Sequence, residues 1–187
     1  MDAIAGLLDG PRARGAFLLR SVHDPPWCLR IQDEAPLTVM AVVRGGAWVA
    51  VPGRDPVRMG VGDVAIVSCR EPYDVADAPG TAPRVLIHPG QRCQTLDGED
   101  LAERFTLGVR TWGARADGET VLLTGTYEDA GAISQRILAA LPDLILLPAD
   151  GWSSPLVPLL ADEIARDAPG QEAVLDRLLD LLLISGL

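Results

Sequence analysis

Between Leu37 and Tyr73 the chain reads LTVMAVVRGGAWVAVPGRDPVRMGVGDVAIVSCREPY, and no other stretch limits the possible folds as much. Three short apolar runs, Leu37–Val43, Ala47–Val51 and Val64–Val67, are set apart by glycines. Runs of this length, rich in β-branched residues and punctuated by Gly and Pro, predict strands joined by tight turns. Arg44-Gly45-Gly46 predicts one hairpin and Pro52-Gly53-Arg54-Asp55-Pro56 a second, longer one. Gly60-Val61-Gly62-Asp63 then turns the chain into the strand Val64–Val67. Successive antiparallel hairpins suit a small closed or sandwich-like barrel, which removes exposed sheet edges.

A turn glycine, a hairpin strand, then Gly-Asp and an apolar strand ending in a polar turn resembles the cupin barrel. With its helical tail, the sequence resembles the regulatory domain of AraC-type transcription regulators. Cupin enzymes carry two metal motifs, and both can be laid on this spacing. Counting from Gly62 puts Ser68 at the motif's Pro, Arg70 at its Gly and Tyr73 at its His. Counting back from Gly45 puts Thr38 at the Glu of the other motif, with the paired histidines falling within Ile31–Glu34. That segment reads Ile-Gln-Asp-Glu, so the frame is kept while its ligands are missing.

The chain has 187 residues, enough for one domain with a sizeable core, and 48% of them are hydrophobic. Its net charge is −10, and all 16 cations are Arg. Such a surface repels phosphate backbones, which argues against nucleic-acid binding by this chain alone. No apolar run approaches bilayer-spanning length, and the N-terminus lacks a signal-peptide pattern, so a cytoplasmic setting is expected.

In order, Met1–Leu8 is a short helix candidate, and Ala13–Val22 and Trp27–Ile31 are strands on either side of His23-Asp24-Pro25-Pro26. After the central block, Arg84–Ile87 is a strand and Pro89–Asp100 a surface excursion, with a helical turn or two over Gly98–Arg104. Phe105–Trp112 and Thr120–Tyr127 read as a strand pair. From Ile133 the apolar period becomes helical and stops at Pro142. Leu144–Leu147 is a short apolar segment, and Pro155–Arg166 and Gln171–Ser185 are two further helices. This ending also resembles the AraC-type regulatory domain, in which the Leu-rich helix leads into a basic domain with two helix-turn-helix motifs. Here the chain stops at Leu187.

Only His23 and His88 offer imidazole, and neither lies at a motif position. His23 in a Pro-rich turn and His88 before Pro89 read as solvent-facing, so no metal site is expected. Cys28, Cys69 and Cys93 are too few and scattered for a disulfide framework. They read either as reduced, packed thiols or as a redox switch, since Cys69 precedes Arg70 and Cys93 follows Arg92.

Period-2 alternation sets Thr38, Met40 and Val42 on one face and Leu37, Val39, Ala41 and Val43 on the other. The cupin frame implies that Thr38, Met40, Val42 and Tyr73 point inward. They then either fill the barrel or, with Trp48 and Trp112, line an apolar effector pocket with Thr38 and Tyr73 as polar handles. On the last helix, Val174, Leu175, Leu178, Leu179, Leu181, Leu182, Leu183 and Ile184 exceed one buried stripe. Pairing with a second copy through Val174, Leu175, Leu178 and Leu182 is one solution, and burial within the monomer is the other.

The expectation is a mainly β fold with C-terminal helices. A cupin-type antiparallel β-barrel (jelly roll) covers residues 1–130. A helical subdomain over 131–187 packs on the barrel and leads to a DNA-binding domain absent from this chain. The resemblance implies an effector-sensing or dimerising domain without enzymatic activity. It also implies a small-molecule effector, DNA contact only through the missing domain, no cofactor, no membrane and a homodimer. A stand-alone cupin enzyme with metal-dependent oxygenase or isomerase chemistry is the rival class, together with a thiol-based redox sensor.

Overall fold

A computed structural model describes residues 16–128, 135–152 and 154–187. The helix expected over Met1–Leu8 lies outside them. The strands are β1 (Phe17–His23), β2 (Cys28–Ile31), β3 (Leu37–Arg44), β4 (Ala47–Ala50), β5 (Val57–Met59), β6 (Val64–Val67) and β7 (Tyr73–Ala76). After them come β8 (Val85–His88), β9 (Arg92–Thr95), β10 (Thr106–Gly108), β11 (Thr111–Gly113) and β12 (Thr120–Tyr127). Helix α1 (Gln135–Ala140), strand β13 (Leu144–Leu147), helix α2 (Leu156–Ile164) and helix α3 (Gln171–Gly186) complete the order. None of the described helices is long and apolar enough to cross a membrane.

The strands form two sheets, in the orders β10-β11-β1-β12-β3-β6-β13 and β5-β4-β7-β2-β8-β9. Their inner faces share a core in which Met40, Val42, Ala65 and Leu122 of the first sheet meet Val49, Tyr73 and Val75 of the second. This is the jelly-roll sandwich of the cupin fold, mainly β with its helices at the C-terminal end. Most pairings are antiparallel, while β1–β11 and β2–β8 run parallel.

Strand β3 sits inside the first sheet, between β12 and β6, and Leu37 to Val42 are all buried. Both its faces work. Leu37, Val39 and Ala41 join Leu160, Ile164, Leu175, Leu179 and Leu183 of α2 and α3 in a core behind the sheet. Met40 and Val42 join the core between the sheets. Each fully buried aliphatic side chain stabilises by about 1.5–3 kcal/mol, so this two-sided strand is the centre of the fold.

Two expected pairings are replaced. Arg44-Gly45-Gly46 is not a hairpin, because β3 and β4 lie in different sheets. Gly45 carries φ +76°, and a Cβ there would stand 2.6 Å from the Glu119 carbonyl oxygen, so the crossover needs glycine on both counts. Phe105–Trp112 does not pair with Thr120–Tyr127. It splits into β10 and β11, which pair with each other, while β12 fits between β1 and β3. The surface excursion contains β9, paired with β8, and the helical turns near Gly98–Arg104 form no helix.

The Gly-Asp turn ties the tail to the sheet. Asp63 Oδ2 accepts the Gly60 N–H at 2.6 Å and Oδ1 accepts the Ala149 N–H at 2.8 Å. Between them, β13 adds to β6 with Leu144 opposite Val67. Leu144–Leu147 is therefore an edge strand of the seven-stranded sheet. Gln171, buried at the start of α3, donates to the carbonyls of Glu163 (2.7 Å) and Arg166 and so closes the α2–α3 hairpin.

Candidate functional site

The inner faces of the two sheets enclose a cavity of about 50 Å³. Its walls follow from register. Thr38 and Met40 of β3 lie opposite Thr126 and Thr124 of β12. Leu19 of β1 pairs with Thr124, and Ser21 pairs with both Leu122 of β12 and Trp112 of β11. The second sheet contributes Leu29, Ile31, Tyr73, Val75, Ile87 and Cys93, and Asp33 and Gln91 reach in from loops. Every strand residue here obeys the period-2 rule, so the wall is a mostly apolar shell with hydroxyls along β3 and β12.

Of the residues expected at a pocket, the structure brings Thr38, Met40, Tyr73 and Trp112 to this cavity. Val42 points inward too, but packs in the core beside it and does not line it. Trp48 is a correction. Ala47 and Val49 take the buried face of β4, so alternation leaves Trp48 half-buried on the outer face. Thr124, Thr126 and Ser21 were missed, although the alternation of Leu122, Thr124 and Thr126 was visible in TVLLTGTY.

Among the described residues, four buried side-chain polar atoms have no hydrogen-bond partner, and two of them belong to cavity residues: the Tyr73 hydroxyl and the Trp112 indole N–H. An orphaned buried donor costs about 1–3 kcal/mol, so a cavity carrying two of them invites a partner. Burial raises the Tyr73 hydroxyl well above its ordinary range, and Asp33 adds to the shift. The nearby Thr38 side chain pulls the other way, by less than burial and Asp33 do. Tyr73 therefore remains protonated across the physiological range and available as a donor.

Asp33 is already committed, since Oδ1 accepts the Ala35 N–H at 3.1 Å and Oδ2 accepts from Gln91 Nε2 at 3.0 Å. The residues do not fit the metal that cupin enzymes hold at the Thr38 and Tyr73 positions. A hydroxyl and a protonated phenol are weak ligands. Among the described residues, no three His, Cys, Asp or Glu side chains converge.

The histidines are placed differently from expectation. His23 is buried at the end of β1, stacked on Trp27 with ring centroids 4.4 Å apart, its Nε2 3.0 Å from Ser21 Oγ. Burial lowers its pKa from 6.5 to about 4, against a smaller upward pull from Asp24. His88 is half-buried at the end of β8, with Nδ1 3.2 Å from Gln32 Nε2.

All three cysteines are free and buried. Arg70 and Arg92, adjacent in sequence to Cys69 and Cys93, are not among the groups that shift those thiols. Burial pushes Cys28 and Cys93 up to about 11, aided by Asp74 and Asp100 respectively, and also raises Cys69. A buried thiol of that kind is a poor nucleophile, so the sequence support for a redox switch disappears.

The proposed helix interface also changes. Leu175, Leu178 and Leu182 are buried in the monomer's own core, against the first sheet and α2. Val174 is exposed, and with Leu181, also exposed, it marks the outer face of α3. The surplus of leucines was absorbed by a sheet on one side and a helix on the other.

No curated protein matches this sequence. Among solved structures, apo ToxT of Vibrio cholerae, in a single-substitution form, superposes with a TM-score of 0.50 at 7% identity. The match takes in 91% of this chain and 55% of the ToxT chain, so the sequence spans about half the length of that protein. At this identity the likeness concerns the fold alone. A family model described as Cupin matches residues 2–187. The chain belongs to this cupin family.

Proposed function

We propose that this cupin domain senses a small-molecule effector and does not catalyse a reaction. The observation that carries the reading is the cavity itself. At the positions where cupin enzymes place metal ligands stand Thr38 and Tyr73, and the Tyr73 hydroxyl lacks a partner. A mostly apolar shell with a few unsatisfied polar groups is the usual form of a small-ligand site. As the sensing half of an AraC-type regulator, the domain acts through a separate helix-turn-helix domain, since a net charge of −10 is unsuited to DNA contact. The setting is cytoplasmic, where such a regulator meets both effector and DNA.

The cavity is close to α3, because β3 lines it with Thr38 and Met40 while packing Val39 and Ala41 against the helices behind. A ligand that shifts β3 therefore reaches the C-terminal helices through one strand. We further propose that two copies pair through the outer face of α3, around Val174 and Leu181. Paired operator half-sites call for paired protein halves.

The test is thermal unfolding of the parent chain and of Met40→Phe, which fills the cavity, against a library of small metabolites. At least one compound raises the parent's Tm and leaves that of Met40→Phe unchanged. A library that shifts neither chain, or both equally, contradicts the reading.

A further inference from the structure

The cavity's polar groups specify the chemistry of what it holds. Tyr73 is 4% and Trp112 9% exposed, and each carries a buried donor with no partner in the protein. Tyr73 belongs to the six-stranded sheet and Trp112 to the seven-stranded one, so the two residues that carry these orphaned donors line the cavity from opposite walls. None of the described residues lining the space is Arg or His, and the sequence has no lysine. The one ionisable carboxylate present is Asp33, whose oxygens are taken by the Ala35 N–H and by Gln91.

We infer that the cavity takes a compact, uncharged molecule bearing a hydrogen-bond acceptor such as a carbonyl oxygen, which receives the Tyr73 hydroxyl and the Trp112 indole N–H. The inference rests on the sensing role proposed above for the same cavity.

Charge decides against an anion. A carboxylate ligand would be stripped of water in an apolar shell, with no cation to meet it and with Asp33 beside it, and an unpaired buried charge costs far more than the new hydrogen bonds return. An alkane fits the shell but leaves both donors unpaired. A neutral acceptor satisfies both and meets no opposing charge. The raised pKa of Tyr73 keeps its proton in place for this role. Size decides against a large ligand, since a cavity of about 50 Å³ has room on the order of four waters and suits a molecule of a few heavy atoms.

The experiment is titration of the ¹⁵N-labelled chain with cyclopentanone, cyclopentane and cyclopentanecarboxylate, followed at the indole N–H resonances, with Trp112→Phe assigning its own signal. Acetone repeats the trial with a smaller ketone. Cyclopentanone or acetone should shift the Trp112 indole signal saturably, cyclopentane should bind more weakly, and the carboxylate should leave the signal in place. Tyr73→Phe should weaken ketone binding roughly threefold to tenfold, the loss of one hydrogen bond. The indole signature is read in the parent chain, so it stands whether or not that variant folds.

Carboxylate bound more tightly than ketone overturns the inference and leaves the cavity as a ligand site. Cyclopentane bound as tightly as the ketone overturns the donor role of Tyr73 and Trp112. Silence from all four probes overturns the inference, and the metabolite library then decides the sensing role separately.

Discussion

The hydroxyl of Tyr127 donates to Asp180 Oδ1 at 3.0 Å, joining the last residue of β12 to the buried face of α3. Asp180 is only 5% exposed, and its other oxygen meets Arg177 Nη1 at 2.9 Å. Burial raises the Tyr127 pKa far above its ordinary value, and the carboxylate adds to the shift, so the phenol stays a donor at any ordinary pH. Tyr127→Phe removes one hydrogen bond to a buried carboxyl group and should cost roughly 1–3 kcal/mol. In urea the midpoint is expected to fall at an unchanged slope. An unchanged midpoint places no weight on this contact.

Gly125, two residues earlier on the same face of β12, lets α3 approach. A Cβ there would stand 2.5 Å from Leu179 Cδ1 and 2.7 Å from Cδ2. Gly125→Ala should destabilise by about 1–3 kcal/mol through overpacking. Adding Leu179→Ala should make the pair less damaging than the sum of the two single changes, a coupling measurable in a double-mutant cycle. Simple additivity contradicts the contact.

The two faces of α3 are expected to respond in opposite ways to charge. Leu178→Arg with Leu182→Arg buries two guanidinium groups in the core behind the sheet and should unfold the chain. Val174→Arg with Leu181→Arg changes exposed positions, so circular dichroism and Tm should stay near the parent values. If two copies pair on that face, light scattering should show the second variant as a monomer where the parent is a dimer. A parent that is monomeric at high concentration removes the pairing.

His23 links stability to acid. Its folded pKa of about 4 lies below the ordinary 6.5, so between those values the unfolded chain binds a proton that the folded chain refuses. Stability is therefore complete above pH 6.5 and falls as pH drops toward 4. The full loss is about 3 kcal/mol. His23→Gln should flatten the pH dependence of unfolding in that window relative to the parent. Identical slopes contradict the burial of a neutral imidazole.

The alternation of β3 was readable because six consecutive buried positions, three on each face, run without a turn to interrupt them. The inward set Thr38, Met40, Val42 could be taken straight from the sequence, and Tyr73 followed from the spacing after Gly62. Trp48 misled because a large aromatic side chain suggests a pocket, whereas its direction is fixed by Ala47 and Val49, which are small enough to pass for filler. Arg44-Gly45-Gly46 has the residues of a hairpin, yet its glycines serve a crossover between sheets, a distinction that lies in long-range contact with Glu119. His23 looked exposed among prolines, but its burial comes from Trp27 and Trp112, and Trp112 stands far along the chain. Leu175, Leu178 and Leu182 looked surplus because a helix covered on two sides by one sheet and one helix needs more apolar surface than a single stripe.

On the proposed reading, the cupin frame here encloses a ligand cavity where cupin enzymes hold a metal ion. Manganese(II) titration of the full chain, followed by indole N–H line widths, tests this most directly. Loose ions on the acidic surface should broaden the half-exposed Trp48 at least as much as Trp112, with no saturation near one equivalent. Selective loss of the Trp112 signal at one equivalent of metal, abolished by Asp33→Asn, would contradict the account and favour a metal-dependent cupin enzyme.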